Sequence, residues 1–387
     1  MTLPLGISFF TFTQIAYLAD VALGRVYERN FIKYVVFVTY FPHLIAGPIM
    51  HHREMMPQFD SAERRLTSER LAIGLTVFVV GLFKKVAIAD YMATISDPIF
   101  AAASKAAISR LDAWGGALAY ALQIYFDFSG YCDMALGISL LFGIVLPFNF
   151  DAPYKAQSIA EFWHRWHITL SRFLRDYLYI PLGGNRLGEA RRNLNLATTM
   201  LIGGLWHGAG WTFVVWGGLH GFFLVTNHSW VKLTARVPIL LRASETIAYA
   251  AISLVLTQFC VVIAWVFFRA DSLTTAHRVL AAMFGLGQPA ATPQVLGMMG
   301  PILTVMSRDI IAAGYLICLL LPNVNELFRH KYRVGLDSYQ LPQAWSLLRL
   351  DWQMQVPWAV ATAALFSLAL FAILAVGDGT PFLYFQF

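Results

Sequence analysis

Charge is scarce in this sequence of 387 residues: 13% are Asp, Glu, Lys or Arg, against 58% hydrophobic. Soluble domains carry about 25% charged and roughly 45–50% apolar residues. With a mean hydropathy of +0.59, the composition excludes an ordinary soluble domain and predicts a multi-pass, all-α membrane protein. Cysteine is scarcer still. Cys132, Cys260 and Cys318 all sit in apolar segments without CxxC spacing, so neither a disulfide framework nor a zinc site is implied, and helix packing explains them. No segment repeats at a fixed period and no low-complexity tract divides the chain, so residues 1–387 read as one domain. Met1 is followed by neither a basic region nor a small-residue cleavage site, so the start does not read as a signal peptide.

The net charge of +6 does not point to nucleic acid. The bases fall in short clusters between apolar runs, the pattern that retains cytoplasmic loops. Aromatic residues make up 15% of the chain, as interfacial belts and a large apolar core require. A span needs about 20 apolar residues. Candidates are 3–22, 31–49, 71–90, 113–128, 130–147, 194–207, 210–226, 246–268, 308–322 and 357–376, with a break expected at Gly208-Ala209-Gly210. The length rule gives about nine spans.

Several segments carry polar groups that restrict their surroundings. Ser8, Thr11, Thr13 and Gln14 place the first segment inside a bundle. Prolines and glycine in Phe41-Pro42-His43-Leu44-Ile45-Ala46-Gly47-Pro48 end the second near an interface. His51 and His52 then read as a solvated loop, followed by charges from Glu63 to Arg70. Lys84 and Lys85 are expected to snorkel to headgroups. Asp127 and Asp133 stand about 120° apart on an uninterrupted helix, which argues for structural roles over paired acid–base chemistry. Gly130 between them is a candidate break. Residues 158–180 keep a helical period, with Trp163, Trp166, Leu170, Phe173 and Tyr177 against Arg165, Arg172, Arg175 and Asp176. That predicts one interfacial or re-entrant helix, stopped by Gly183-Gly184-Asn185-Arg186. Residues 271–283 predict a short amphipathic helix. A polar stretch with Arg329, Lys331 and Arg333 forms a loop, and the terminal Pro381–Phe387 aromatics form an interfacial anchor.

The stretch Glu161–Gly221 holds four histidines, His164, His167, His207 and His220, in largely apolar surroundings. Ionisable groups at membrane depth mark function by default. Spacing puts His164 and His167 on one helix face. Three chemistries compete. His-x-x-His with His207 resembles a partial metal set, although neither Cys nor Glu lies at a helpful spacing. Buried, hydrogen-bonded histidines are the plainer reading, and they suit His220 and His228. General-base catalysis of group transfer is the third. It suits His207, whose glycine frame (Gly203, Gly204, Gly208) promises close backbone approach and room for a ligand. There is no GxSxG elbow to support a covalent serine route.

Specific motifs then bear on the choice. Glu161-Phe162-Trp163-His164-Arg165-Trp166-His167-Ile168-Thr169-Leu170-Ser171, continued by Arg175-Asp176-Tyr177-Leu178-Tyr179-Ile180-Pro181-Leu182-Gly183-Gly184-Asn185-Arg186, resembles the signature of the membrane-bound O-acyltransferases, nearest their alginate O-acetyltransferase branch. Pro4-Leu5-Gly6-Ile7-Ser8-Phe9-Phe10, Tyr125-Phe126-Asp127-Phe128-Ser129-Gly130-Tyr131, Leu205-Trp206-His207-Gly208-Ala209 and Tyr384-Phe385-Gln386-Phe387 extend it over nearly the whole chain. The resemblance implies a helical bundle around a funnel in a bacterial inner membrane. His207 matches the family's essential histidine, and His167 a second position that is His in this branch and Asn or Asp in others. It implies acetyl-CoA as donor substrate, without a metal or a tightly bound cofactor. It implies a periplasmic SGNH-type acetyltransferase partner within a polysaccharide biosynthesis complex, acetylating an exopolysaccharide such as alginate. Arg165, Arg172, Arg175 and Arg186 become candidates for the donor's phosphates. Acetylation of peptidoglycan or cellulose, D-alanyl transfer to teichoic acid, and a non-enzymatic scaffold or channel stay as alternatives. The family's Pro-Leu-Gly-Ile-Ser-Phe motif normally follows further N-terminal helices, so the resemblance leads us to expect that these are missing here.

Overall fold

A computed structural model describes residues 6–26, 28, 30–44, 47–60, 66–287, 301–328, 332, 334–336, 348, 350–376 and 383. The terminal aromatic anchor apart from Leu383, the loop bases Arg329, Lys331 and Arg333, the charges Glu63, Arg64 and Arg65, and motif residues Pro4, Leu5, Ile45 and Ala46 lie outside these. Regular structure among the described residues is helical, with two isolated bridges, Pro147 to Leu336 and Phe150 to Trp166. The all-α expectation holds.

The spine is a helix of 32 residues, Arg110–Leu141, buried along most of its length. We number the helices α1 Ile7–Ala22, α2 Phe31–Thr39, α3 His52–Met55, α4 Ser68–Phe83, α5 Asp90–Lys105 and α6 Arg110–Leu141. Then come α7 Ile159–Arg165, α8 Ile168–Leu174, α9 Glu189–His207, α10 Trp211–Arg236, α11 Pro238–Ser244, α12 Ile247–Arg269 and α13 Leu273–Phe284. The last described are α14 Pro301–Leu320, α15 Val324–Phe328 and α16 Val356–Val376. Helices α4, α5, α12, α13 and α14 pack around α6, and α9 pairs with α10. The outward side is apolar, as lipid requires: Leu368, Phe371 and Leu374 of α16 are exposed.

Several expectations change. Gly130 breaks nothing, because 113–128 and 130–147 merge into α6. Segment 31–49 is not a span: α2 stops after 9 residues and the chain turns through Phe41-Pro42-His43. Three described runs, Ser68–Lys105, Ile247–Arg269 and Val356–Ala375, are long and apolar enough to cross a membrane, fewer than the length rule gave. Polar residues dilute the other helices, which are held by contacts within the protein. Lys84 and Lys85 do not snorkel. They sit in a π-helical turn, Lys84–Ala89, that joins α4 to α5. From there Lys84 Nζ reaches Asp133 at 2.5 Å, and Lys85 Nζ reaches Asp90 and Asp127, both at 2.7 Å. The two aspartates of α6 are therefore structural, as their spacing argued. Helix α1 is buried on one side (Phe9, Thr13, Ala16, Asp20), while Ile15, Leu18 and Val21 face outward.

Candidate active site

The local sequence begins a helix at Ser158. Its hydroxyl accepts from Glu161 N at 3.1 Å, and the Glu161 carboxylate accepts from Gln157 N at 2.8 Å. This capping pair starts α7. The helix ends after 7 residues, because the chain pairs sideways with residues 149–151. Asp151 N donates to Arg165 O at 3.0 Å and Ile168 N to Asn149 O at 3.0 Å, flanking the Phe150–Trp166 bridge. Between these bonds His167 adopts φ 43 and ψ 53, a left-handed conformation, and α8 starts anew from it. The single helix expected over 158–180 is thus two short helices and a π-helical turn, Arg175–Tyr179. His164 and His167 consequently share no face: His164 is exposed and His167 is 1% exposed.

The break brings His167 against Trp206, which also packs on His207. The His167 ring stacks on Phe9 at 6.2 Å, meets Phe128 edge-on at 4.8 Å, and lies 6.2 Å from Trp206. Its Nδ1 bonds Asn149 Oδ1 at 3.1 Å. His207 closes α9 and touches Trp206 at 4.6 Å, Phe268 at 4.9 Å and Trp216 at 5.1 Å between ring centres. Trp206 contacts both imidazoles. The two therefore meet in an aromatic shell built by α1, α6, α9, α10 and α12.

The glycine frame works differently from the expectation. A Cβ on Gly204 would come within 2.4 Å of Phe213 O, and one on Gly217 within 2.4 Å of Met200 O. These glycines let α9 and α10 touch backbone to backbone, and the space beside His207 is filled by Trp206, Trp216 and Phe268. One open space lies elsewhere. A cavity of about 250 Å³ is lined by Trp163, His164, Arg175, Tyr179 and His228 among others, and its lining includes neither His167 nor His207. His220 is fully buried and accepts from Trp163 Nε1 at 3.2 Å, a structural role.

Residues 5–268 match the model of the membrane-bound O-acyltransferase (MBOAT) family. The chain belongs to this family. It is 47% identical over 312 residues to the peptidoglycan O-acetyltransferase of Helicobacter pylori, across 74% of this chain and 58% of that protein. It is 47% identical over 286 residues to a probable alginate O-acetylase AlgI of Azotobacter vinelandii, across 74% of this chain and 54% of the relative. A probable alginate O-acetylase AlgI of Pseudomonas putida is 39% identical over 389 residues, covering 100% of this chain and 75% of its own. The chain therefore spans little more than half the length of the first two relatives.

Within this MBOAT chain the four arginines part company. Arg165 is 1% exposed and donates to Glu161 at 2.8 Å and to Asp151 Oδ2 at 3.3 Å, so the structure moves it from a phosphate contact to a clamp on the helix break. Arg172 forms a two-pronged pair with Glu54, one prong at 2.8 Å. Arg175 pairs with Asp176 at 2.7 Å and lines the cavity, and Arg186 is exposed on the turn after it.

One cluster was not legible in the sequence. Asp20 Oδ2 of α1 lies 3.2 Å from His51 Nε2 and 3.8 Å from His52 Nδ1, and Tyr177 donates to it at 3.1 Å. The solvated loop expected at His51-His52 is instead a packed junction between α1, α3 and the turn after α8, with His52 5% exposed. The three ligand-type atoms lie within 4.8 Å of one another. Their protons favour hydrogen bonding over a metal, since His51 Nδ1 accepts from Arg53 N at 3.3 Å and so leaves the ring hydrogen on Nε2, toward Asp20 and Tyr177. Arg25 at 3.5 Å and Arg53 at 3.9 Å from Asp20 also oppose a cation. Burial, then the neighbouring His51, pushes His52 down to about 4, and burial together with Arg172 lowers His51.

Proposed function

We propose that this chain is the acyl-transferring part of an inner-membrane O-acetyltransferase, with His207 as general base or acyl-relay group and His167 as its partner. The observation that carries the reading is the packing of these two histidines, one from the turn between α7 and α8 and one from the end of α9, around Trp206 in a chain of the acyltransferase family. Acetyl-CoA is the proposed donor. An imidazole takes the proton of an attacking hydroxyl, the new C–O bond forms as the C–S bond breaks, and the proton returns to the departing thiolate. A donated hydrogen bond steadies the oxyanion between these events. Arg175, beside an apolar cavity that holds His164 and His228, is the best placed of the four arginines for the donor's phosphate end. A periplasmic SGNH-type acetyltransferase would pass the acetyl group to an exopolysaccharide such as alginate, in line with the names of the Azotobacter and Pseudomonas relatives.

Peptidoglycan as final acceptor is the second reading, favoured by the Helicobacter relative at 47% identity. One experiment serves both. Cells expressing the full-length protein or its His207→Ala variant at equal membrane abundance are assayed for acetyl esters in secreted polysaccharide and in peptidoglycan. The variant should lose the esters from one polymer, and that polymer names the acceptor. Unchanged esters in both would remove the catalytic assignment and favour a scaffold or channel, which would be indifferent to the imidazole.

A further inference from the structure

Asn149 has no part in the chemistry described so far, yet it is completely buried and its polar atoms are directed at His167 and Thr169. Its Oδ1 accepts from Thr169 N at 3.2 Å and from Thr169 Oγ1 at 2.9 Å, and it faces His167 Nδ1 at 3.1 Å. Its Nδ2 donates to Cys132 Sγ at 3.4 Å. The backbone joins in, with Asn149 O accepting from Ile168 N at 3.0 Å across the left-handed turn.

This network assigns a proton. A backbone N–H only donates, so the amide atom facing Thr169 N is the oxygen. Thr169 Oγ1 accepts from Ile49 N at 3.0 Å, so its own hydrogen points to Asn149 Oδ1. His167 Nδ1 therefore also faces an acceptor and carries the ring hydrogen, which leaves the lone pair on Nε2. Nucleophile–base systems use the same logic, in which a third group orients the base and selects its tautomer. A neutral amide does so without adding a buried charge to an apolar site.

We propose that Asn149 is the positioning residue that holds His167 in the orientation and tautomer required for acyl transfer, with Thr169 fixing the amide in turn. The proposal rests on the acyl-transfer reading above, and its test separates the two. Full-length protein in membranes is compared as wild type, Asn149→Leu, Asn149→Asp, Thr169→Val and His207→Ala, with acetyl-CoA as donor probe and acetyl esters on polymer as product. Asn149→Leu keeps the volume and removes the acceptor. It should lower turnover per molecule about 100-fold, the scale of a small misplacement of a catalytic group, while the KM for acetyl-CoA and membrane abundance stay unchanged. Asn149→Asp restores an acceptor and should recover part of the turnover. Thr169→Val should lower turnover about fivefold, the worth of one hydrogen bond of about 1 kcal/mol. If Asn149→Leu lowers abundance, Thr169→Val decides: reduced turnover at normal abundance supports the proposal, and full turnover overturns it. Wild-type turnover in Asn149→Leu, or a loss carried entirely by KM, also overturns it. An active Asn149→Leu beside an inactive His207→Ala removes only this proposal, whereas an active His207→Ala removes the reading beneath it.

Discussion

Gly81 of α4 and Gly130 of α6 press backbone to backbone: a Cβ on either would come within 2.5 or 2.7 Å of the other's carbonyl oxygen. Helices in lipid associate through such close contacts, not through exclusion of water. Gly81→Ala or Gly130→Ala should therefore push the helices apart and destabilise the fold by about 1–3 kcal/mol, the range for overpacking. Gly218→Ala is the control, since its added methyl meets only Leu201 Cδ2 at 3.6 Å. Thermal inactivation in detergent should separate the pair from the control, and equal midpoints would contradict the close-contact account.

The Lys84–Asp133 pair, at 2.5 Å, lies largely buried between the π-helical turn and α6. Removing one partner of a buried pair leaves an uncompensated charge, which is destabilising by about 3–5 kcal/mol, whereas replacing both is far milder. Lys84→Met should accordingly reduce membrane abundance more than Lys84→Met combined with Asp133→Leu. Immunoblots of membrane fractions would show the order, and additive losses would rule out the pairing.

Arg172 and Glu54 tie α8 to α3 through a two-pronged contact. Arg172→Lys cannot reproduce the fork. It should lower thermal stability by about 1–2 kcal/mol, as Glu54→Gln should, with the KM for acetyl-CoA unaffected. A raised KM in Arg172→Lys alone would return Arg172 to the donor site.

Acid should loosen the Asp20–His51–His52 junction. His52 is held near 4 in the folded protein, below its ordinary value of 6.5, chiefly by burial. Between those values the unfolded chain binds more protons than the folded one, so the contribution to stability is complete above pH 6.5 and declines as pH falls toward 4. His52→Leu should flatten that part of the profile of unfolding midpoint against pH. An unchanged slope would show that another group dominates.

Local patterns are legible where local forces decide. The chain ends α9 at His207 and restarts at Trp211, where Gly208-Ala209-Gly210 signalled a break, and α13 occupies the amphipathic stretch expected after Arg269. Family membership also agrees with what the motifs implied. The break at His167 carries no such signal. Trp166-His167 contains neither Gly nor Pro, and the helical period runs through it undisturbed. The interruption comes from residues 149–151, which compete for the same backbone groups from outside the helix. Likewise nothing in Lys84-Lys85 shows whether the ammonium groups reach headgroups or carboxylates, because Asp127 and Asp133 become neighbours only when α4 and α6 pack. Asp20 and His52 are joined by the same kind of distant contact.

The left-handed backbone at His167 also limits what evolution can place there. Most side chains clash at φ 43, and apart from glycine the residues that tolerate it best are Asn, Asp and His. The backbone thus restricts this position by sterics before any chemistry is chosen. A glycine would relieve the strain and remove the imidazole, whereas a β-branched residue would unmake the turn that carries it.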